Sequence, residues 1–169
     1  TLSLRFNTNP LSVALQVSTG GGDYSVLGFG AIIQKHFPEE RAWAGIGLHL
    51  LGAQNGNGVN TMPIVYHSSY EITSGGKGRL GTLGFLDLGY SVNLGSNYFD
   101  ETAQVNVKYG NGFYFNTGLR FRVNVLQNAG IWLDLGYLYQ SSKLRDVETD
   151  KKIRKKSWNV FQIKSAVFF

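Results

Sequence analysis

Residues 86–94 read Leu86-Asp87-Leu88-Gly89-Tyr90-Ser91-Val92-Asn93-Leu94. Every even position is apolar or aromatic and every odd one is small or polar. On a strand this puts Leu86, Leu88, Tyr90, Val92 and Leu94 on one face and Asp87, Gly89, Ser91 and Asn93 on the other. The same alternation recurs along the chain. Leu11, Val13, Leu15 and Val17 oppose Ser12, Ala14 and Gln16. Leu27, Phe29, Ala31 and Ile33 oppose Gly28, Gly30, Ile32 and Gln34. Ala42, Ala44, Ile46, Leu48 and Leu50 oppose Trp43, Gly45, Gly47 and His49, and Ile64, Tyr66 and Tyr70 oppose His67 and Ser69. Further on, Phe113, Phe115, Leu119, Phe121, Val123 and Val125 oppose Asn116, Gly118, Arg120, Arg122 and Asn124. Ile131, Leu133, Leu135, Tyr137 and Tyr139 oppose Trp132, Asp134, Gly136 and Gln140. Finally Phe161, Ile163, Val167 and Phe169 oppose Gln162 and Lys164. The pattern predicts eight strands of about ten residues, the length that crosses a bilayer at a tilt.

The chain of 169 residues suits one domain, residues 1–169, with 1–10 either an N-terminal extension or the start of the first strand. Charged residues make up 16% and aromatics 14%, a balance that excludes intrinsic disorder. With no Cys, disulfide frameworks, thiolate zinc sites and Cys nucleophiles are excluded. The longest apolar run, Ala42 to Ala53, is too short for a membrane helix, which needs about 20 residues. No signal peptide is read and the chain starts at Thr1, the pattern of a processed or trimmed form.

Alternation alone does not separate a membrane barrel from a soluble one; the composition of the second face does. A soluble barrel would turn Lys, Glu and Thr to water. Here that face is Gly, Asn, Ser and Gln with a few charges of both signs, which suits the crowded lumen of eight strands. Tyr and Phe near strand ends (Phe113, Tyr137, Tyr139, Phe169) suit an aromatic girdle. The connections fall into two sets: Thr19–Tyr24, Gly52–Thr61, Gly95–Gly112 and Ser141–Ser157 against the short His36–Arg41, Thr73–Leu80 and Leu126–Gly130. Long outer loops and short periplasmic turns show this asymmetry. The expectation is an all-β, eight-stranded antiparallel transmembrane β-barrel with a polar, side-chain-filled lumen, in a bacterial outer membrane.

The last strand, with Phe161, Ile163, Val167 and terminal Phe169, resembles the C-terminal signal of bacterial outer-membrane proteins. That resemblance implies recognition by the barrel-assembly machinery. Asn9-Pro10-Leu11-Ser12, Leu86-Asp87-Leu88-Gly89-Tyr90, Gly112-Phe113-Tyr114-Phe115-Asn116-Thr117-Gly118 and Leu135-Gly136-Tyr137 resemble the small outer-membrane β-barrel proteins common in Bacteroidota. The likeness spans nearly the whole chain and carries no catalytic residue, so it implies a location and no cofactor.

Three groups of residues stand out chemically. His67-Ser68-Ser69 resembles the His-x-Ser pair of outer-membrane lipid A deacylases, where His activates Ser. Tyr70 stands where those enzymes have Asn, and His67 and Ser69 take the lumen parity, so packing and hydrogen bonding is the plainer role. Asp87, Asp134, Arg120, Arg122, Lys164, His49 and Arg5 form either an ion path or an interior salt-bridge network, and eight strands leave room for the latter. His49 and His67 lack the third ligand of a metal site.

The third group is the segment Ser141–Ser157, with seven basic residues against three acidic ones, which supplies +4 of the chain's net +5. Its Lys151, Lys152, Arg154, Lys155 and Lys156 interleave with no aromatic residue, so nucleic-acid binding is not indicated. Together with Tyr98 and Phe99 they are candidates for contact with outer-membrane lipid, lipopolysaccharide or a larger outer-membrane protein complex, beside the plain reading of a solvated loop. Gly20-Gly21-Gly22 and Asn55-Gly56-Asn57-Gly58 read as hairpin tips. The leading function is a non-enzymatic scaffold or accessory subunit, with a lipid A hydrolase and a narrow pore as alternatives.

Overall fold

The computed structural model describes residues 11–54, 59–74, 79–95, 97–126 and 129–169. These form β1 (Leu11–Gly22), β2 (Ser25–Phe37), β3 (Ala42–Gln54), β4 (Val59–Thr73), β5 (Leu80–Asn93), β6 (Asn97–Asp100), β7 (Val105–Asn124), β8 (Gly130–Asp146) and β9 (Lys152–Phe168). Every pairing is antiparallel. Eight of the strands close a ring, β1-β2-β3-β4-β5-β7-β8-β9 and back to β1, and β6 pairs with β7 alone. At the seam the Val13 amide donates to the Phe169 carbonyl at 2.8 Å, and the Phe169 amide returns the bond at 3.0 Å. The fold is an antiparallel transmembrane β-barrel whose ladders leave no open edge in the wall.

The two faces divide as the alternation requires. Leu15, Phe29, Ile46, Tyr66, Leu88, Leu119, Leu135 and Ile163 point out of the barrel, and Phe161 is 74% exposed. Gln16, Gln34, His49, His67, Asp87, Asn116, Arg120, Asp134, Gln162 and Lys164 are buried inside. A continuous outward apolar belt has no match in water, where apolar patches of a monomer stay small, but it matches hydrocarbon. At Gly118, opposite Gly136, a Cβ would lie 2.0 Å from the Leu135 carbonyl oxygen. Only glycine lets β7 and β8 run this close.

Several boundaries differ from the sequence expectation. The barrel strands run from 12 residues in β1 to 20 in β7, beyond the ten that alternation suggests. Most of Gly95–Gly112 is strand: β6 forms a hairpin with the start of β7. Most of Ser141–Ser157 is strand as well, because β8 and β9 stay paired up to Arg145 and Lys152 and leave only a tight turn. Ladder hydrogen bonds do not need a lipid-facing side, so pairing continues where the outer face meets water while Val107, Tyr109, Leu144 and Trp158 stay buried on the other. Gly20-Gly21-Gly22 are not a hairpin tip; they end β1, paired with Gln162, Phe161 and Val160 of β9. A Cβ on Gly20 would lie 2.5 Å from the Phe161 carbonyl oxygen and one on Gly22 2.6 Å from that of Asn159, so these two glycines serve close strand approach. The expectations for residues 1–10, Arg5 among them, and for Asn55–Gly58 lie outside the described residues.

Candidate functional site

The buried charges arise from two ladder rungs. On the first, His67 of β4 lies opposite Asp87 of β5, and Asp87 lies opposite Asn116 of β7. On the second, Arg120 of β7 lies opposite Asp134 of β8, and Asp134 opposite Lys164 of β9. All six side chains take the inward parity, and the rungs meet across the lumen. Lys164 Nζ donates to Asp87 Oδ2 at 2.9 Å, and Arg120 Nη1 donates to His67 Nε2 at 3.3 Å. Because guanidinium is donor-only, His67 Nε2 accepts, and its Nδ1–H donates to Asp87 Oδ1 at 2.5 Å. The imidazole is therefore neutral and bridges a carboxylate and a guanidinium.

Arg120 grips Asp134 with both fork nitrogens, Nε at 2.8 Å and Nη2 at 2.9 Å. This bidentate form is the strong version of the pair. The guanidinium also lies 3.8 Å from the Trp132 ring centroid, while Lys164 Nζ sits 4.8 Å from that of Phe85. Asn116 Nδ2 donates to Asp87 Oδ2 at 3.2 Å and to Gln162 Oε1 at 3.4 Å. Two carboxylates face two permanent cations, so the cluster is formally neutral. Each charge has a partner, which burial demands. Such a cluster ties strands across the lumen and offers no unsatisfied charge to a passing ion.

The other candidates stand apart from this cluster. Arg122 sits toward the short-turn end, where its Nε donates to Asn124 Oδ1 at 3.0 Å and its guanidinium lies 4.0 Å from the Phe168 ring. His49 bonds the Gln16 amide at 2.8 Å and stacks on Tyr114. Ser69 is buried and its Oγ has no hydrogen-bond partner, so no bond joins it to His67. Asn116, Gln162, Gln16 and the Gln140–Ser91 bond at 2.8 Å were not singled out in the sequence. Their only signal was inward parity, shared with every lumen residue.

The long-hairpin end is closed by aromatics. Tyr24, Tyr109 and Trp158 are buried together, with Tyr24 5.3 Å and Tyr109 6.1 Å from Trp158, and Tyr98 of β6 packs 5.5 Å from Tyr109. Lys156 Nζ lies 5.6 Å from the Tyr24 ring, 6.0 Å from Tyr98 and 5.8 Å from Tyr109. Arg154 Nη2 donates to Asp100 Oδ2 at 2.5 Å, which ties β6 to β9. Lys156 and Arg154 are thus engaged in holding the mouth, whereas Lys151, Lys152 and Lys155 are exposed, as is Phe99. At the other end Phe161, Ile163, Val167 and Phe169 point outward, and Phe168 turns inward to stack on Trp132 at 5.4 Å.

No protein-family model and no curated protein matches the chain. Solved structures do. The N-terminal β-barrel domain of OprF from Pseudomonas aeruginosa superimposes with a TM-score of 0.55 at 13% identity, covering 94% of this chain and 97% of that one. A major outer membrane protein from Thermus thermophilus gives a TM-score of 0.57 at 10% identity, covering 95% of this chain and 100% of that one. At these identities the likeness concerns the fold, and the chain shares the barrel architecture of these outer-membrane proteins.

Proposed function

We propose that the chain is a multi-pass β-barrel of the bacterial outer membrane, neither an enzyme nor a pore, that acts as a scaffold or accessory subunit of a larger outer-membrane complex. One observation carries the reading: the lumen holds the paired chain Lys164–Asp87–His67–Arg120–Asp134 beneath the aromatic cap of Tyr24, Tyr109 and Trp158. With the interior occupied, the surfaces left for work are the lipid-facing wall and the projecting hairpins β6–β7 and β8–β9. The resemblance of the quoted segments supports a place among the small Bacteroidota barrels. The outward comb Phe161, Ile163, Val167 and Phe169 serves recognition by the assembly machinery. A lipid A hydrolase built on His67 and Ser69 draws no support, because both imidazole nitrogens are already engaged.

The test has two arms. In planar bilayers the refolded protein gives no current above the lipid baseline, and discrete ion-conducting steps would sink the closed-lumen reading. In mild-detergent extracts of native membranes it elutes with a stoichiometric partner that is lost when the β6–β7 hairpin is shortened. Elution alone would remove the scaffold role.

A further inference from the structure

Outside the barrel, the β8–β9 ladder displays a graded series of rungs two residues apart. From mid-wall toward the long-hairpin end they are Leu135 opposite Ile163, Tyr137 opposite Phe161, Tyr139 opposite Asn159, Ser141 opposite Ser157, and Lys143 opposite Lys155. Phe161 and Tyr137 meet edge-on at 5.8 Å, and the Tyr137 hydroxyl donates to Asn159 Oδ1 at 2.6 Å. The order is hydrocarbon-like, aromatic, amide, hydroxyl, cation. That is the polarity profile of one membrane leaflet read outward from its core.

The top of the series is energetically odd. Lys143 and Lys155 are exposed and face each other directly across the ladder, an arrangement that is destabilising by itself. Among the described residues no acid pairs with either. Next to them Lys108 faces Arg145, which faces Lys152. Asp150 bridges two of these cations, at 2.9 Å to Lys108 Nζ and 2.8 Å to Arg145 Nη1. Five cations thus crowd adjacent rungs of three strands, and Asp150 pairs with two of them. Lys156 and Arg154 are not part of this face, being engaged at the mouth.

We propose that this face binds the phosphorylated sugar headgroup of a lipid A-type glycolipid in the outer leaflet, with Lys143 and Lys155 clamping a phosphate. At a strand rise of about 3.4 Å per residue and a tilt near 40°, the lysine rung lies roughly 10 Å beyond Tyr139. In that interval Ser157 presents an exposed hydroxyl, whereas Ser141 opposite it is buried. This spacing favours a phosphate raised above the acyl chains on a sugar over one carried on glycerol at the acyl boundary. Long lysine side chains reach back toward it along the wall. The inference deepens the outer-membrane assignment above and rests on it.

The experiment uses the full chain refolded in zwitterionic detergent and three lipid probes: bisphosphorylated lipid A, the same lipid A dephosphorylated, and phosphatidylglycerol. Native mass spectrometry counts the lipid retained. The wild type retains bisphosphorylated lipid A at least tenfold better than either other probe, and 0.5 M salt weakens that preference. The Lys143→Gln/Lys155→Gln variant, checked for heat-modifiable mobility, loses the preference. Equal retention of the phosphorylated and dephosphorylated forms by the wild type overturns the proposal without any variant. Equal retention by the variant overturns it too, and phosphatidylglycerol binding as well as lipid A refutes the sugar-phosphate class. Insertion into phosphatidylcholine vesicles without conductance would leave the barrel reading standing in each case.

Discussion

Replacing Lys164 with Met tests whether the lumen cluster is a structural unit. Lys164 Nζ is one of three donors on Asp87, at 2.9 Å, beside His67 Nδ1 at 2.5 Å and Asn116 Nδ2 at 3.2 Å. Met has a similar length and no charge, so the substitution leaves volume nearly unchanged. It removes one of two cations and leaves Asp87, fully buried, with two donors and no opposing charge of its own. Breaking a buried pair from one side typically costs about 3–5 kcal/mol, because the remaining charge is uncompensated. The double variant Lys164→Met/Asp87→Asn removes both charges. It keeps one acceptor for His67 but turns an amide NH2 toward the Asn116 Nδ2 donor, which Asn116 relieves by flipping to offer its unpartnered Oδ1 at the expense of its bond to Gln162. Its loss should therefore stay near 1.5 kcal/mol, about the scale of one ordinary hydrogen bond.

Urea unfolding in detergent micelles reads the difference. Trp132 and Trp158 are buried in the lumen and report its opening by fluorescence, while the heat-modifiable gel shift reports the barrel as a whole. A single variant within about 1 kcal/mol of wild type, or a double variant whose loss is at least the sum expected of two independent sites, would refute the coupling argued from the rungs.

Other consequences are simpler to state. Leu135→Arg at mid-wall should cost about 2–4 kcal/mol and Ser157→Arg at the rim about 0–1 kcal/mol in the same urea assay; equal costs would mean the belt is misplaced. Gly118→Ala drives a Cβ to within 2.0 Å of the Leu135 carbonyl, so the fraction of heat-modifiable, folded barrel should fall sharply, and an unchanged yield would show that β7 and β8 can separate. Lys156→Met removes the ammonium from Tyr24, Tyr98 and Tyr109, and should speed proteolysis of the β6–β7 hairpin while leaving the barrel intact. The Asp146 carboxyl is held below its ordinary value, chiefly by the backbone N–H groups of Thr149 and Glu148. A depressed folded value means the turn's support is present above the unfolded value of 3.8 and is lost as pH falls through the lower folded one. Amide shifts of Glu148 and Thr149 should therefore titrate with a midpoint under 3.8, and a midpoint at or above it contradicts the capping.

The wall was legible because lipid enforces it. Where one face meets hydrocarbon and the other the lumen, period two is obligatory, and Leu86–Leu94 or Ile131–Tyr139 show it with little noise. Beyond the belt that contrast vanishes. Residues such as Lys143, Arg145 and Lys155 sit on a paired ladder yet look like loop, because their outer face meets water rather than lipid and only isolated residues such as Leu144 mark the buried side. Register was hidden for a similar reason. Alternation says that Asp87 and Lys164 face inward, but not that 2.9 Å separates them, since that depends on which residues share a rung. The aromatic cap escaped notice because its members come from four places: the β1–β2 turn, β6, the start of β7 and β9. Each of them reads locally as a rim residue. His67 was visible as an inward histidine, but its neighbour Ser69 drew attention to a pair the structure does not join.

The charges that hid their register also help to define it. A strand displaced by one residue exchanges its faces. For β9 that would move Lys164 into the lipid and Ile163 or Val167 into the lumen; for β7 it would expose Arg120. A cation at the bilayer midplane costs about 2–4 kcal/mol, and its stranded partner inside loses its opposing charge as well. A lumen packed with apolar side chains would carry no such penalty, since either face would then suit lipid. A neutral cluster whose charges are all paired in one register and broken in every neighbouring one therefore separates the native barrel from its slipped alternatives. This role requires no ligand and no movement of charge. It also leaves the outward lysine face, with its unpaired Lys143–Lys155 rung, as the place where charge is still seeking a partner.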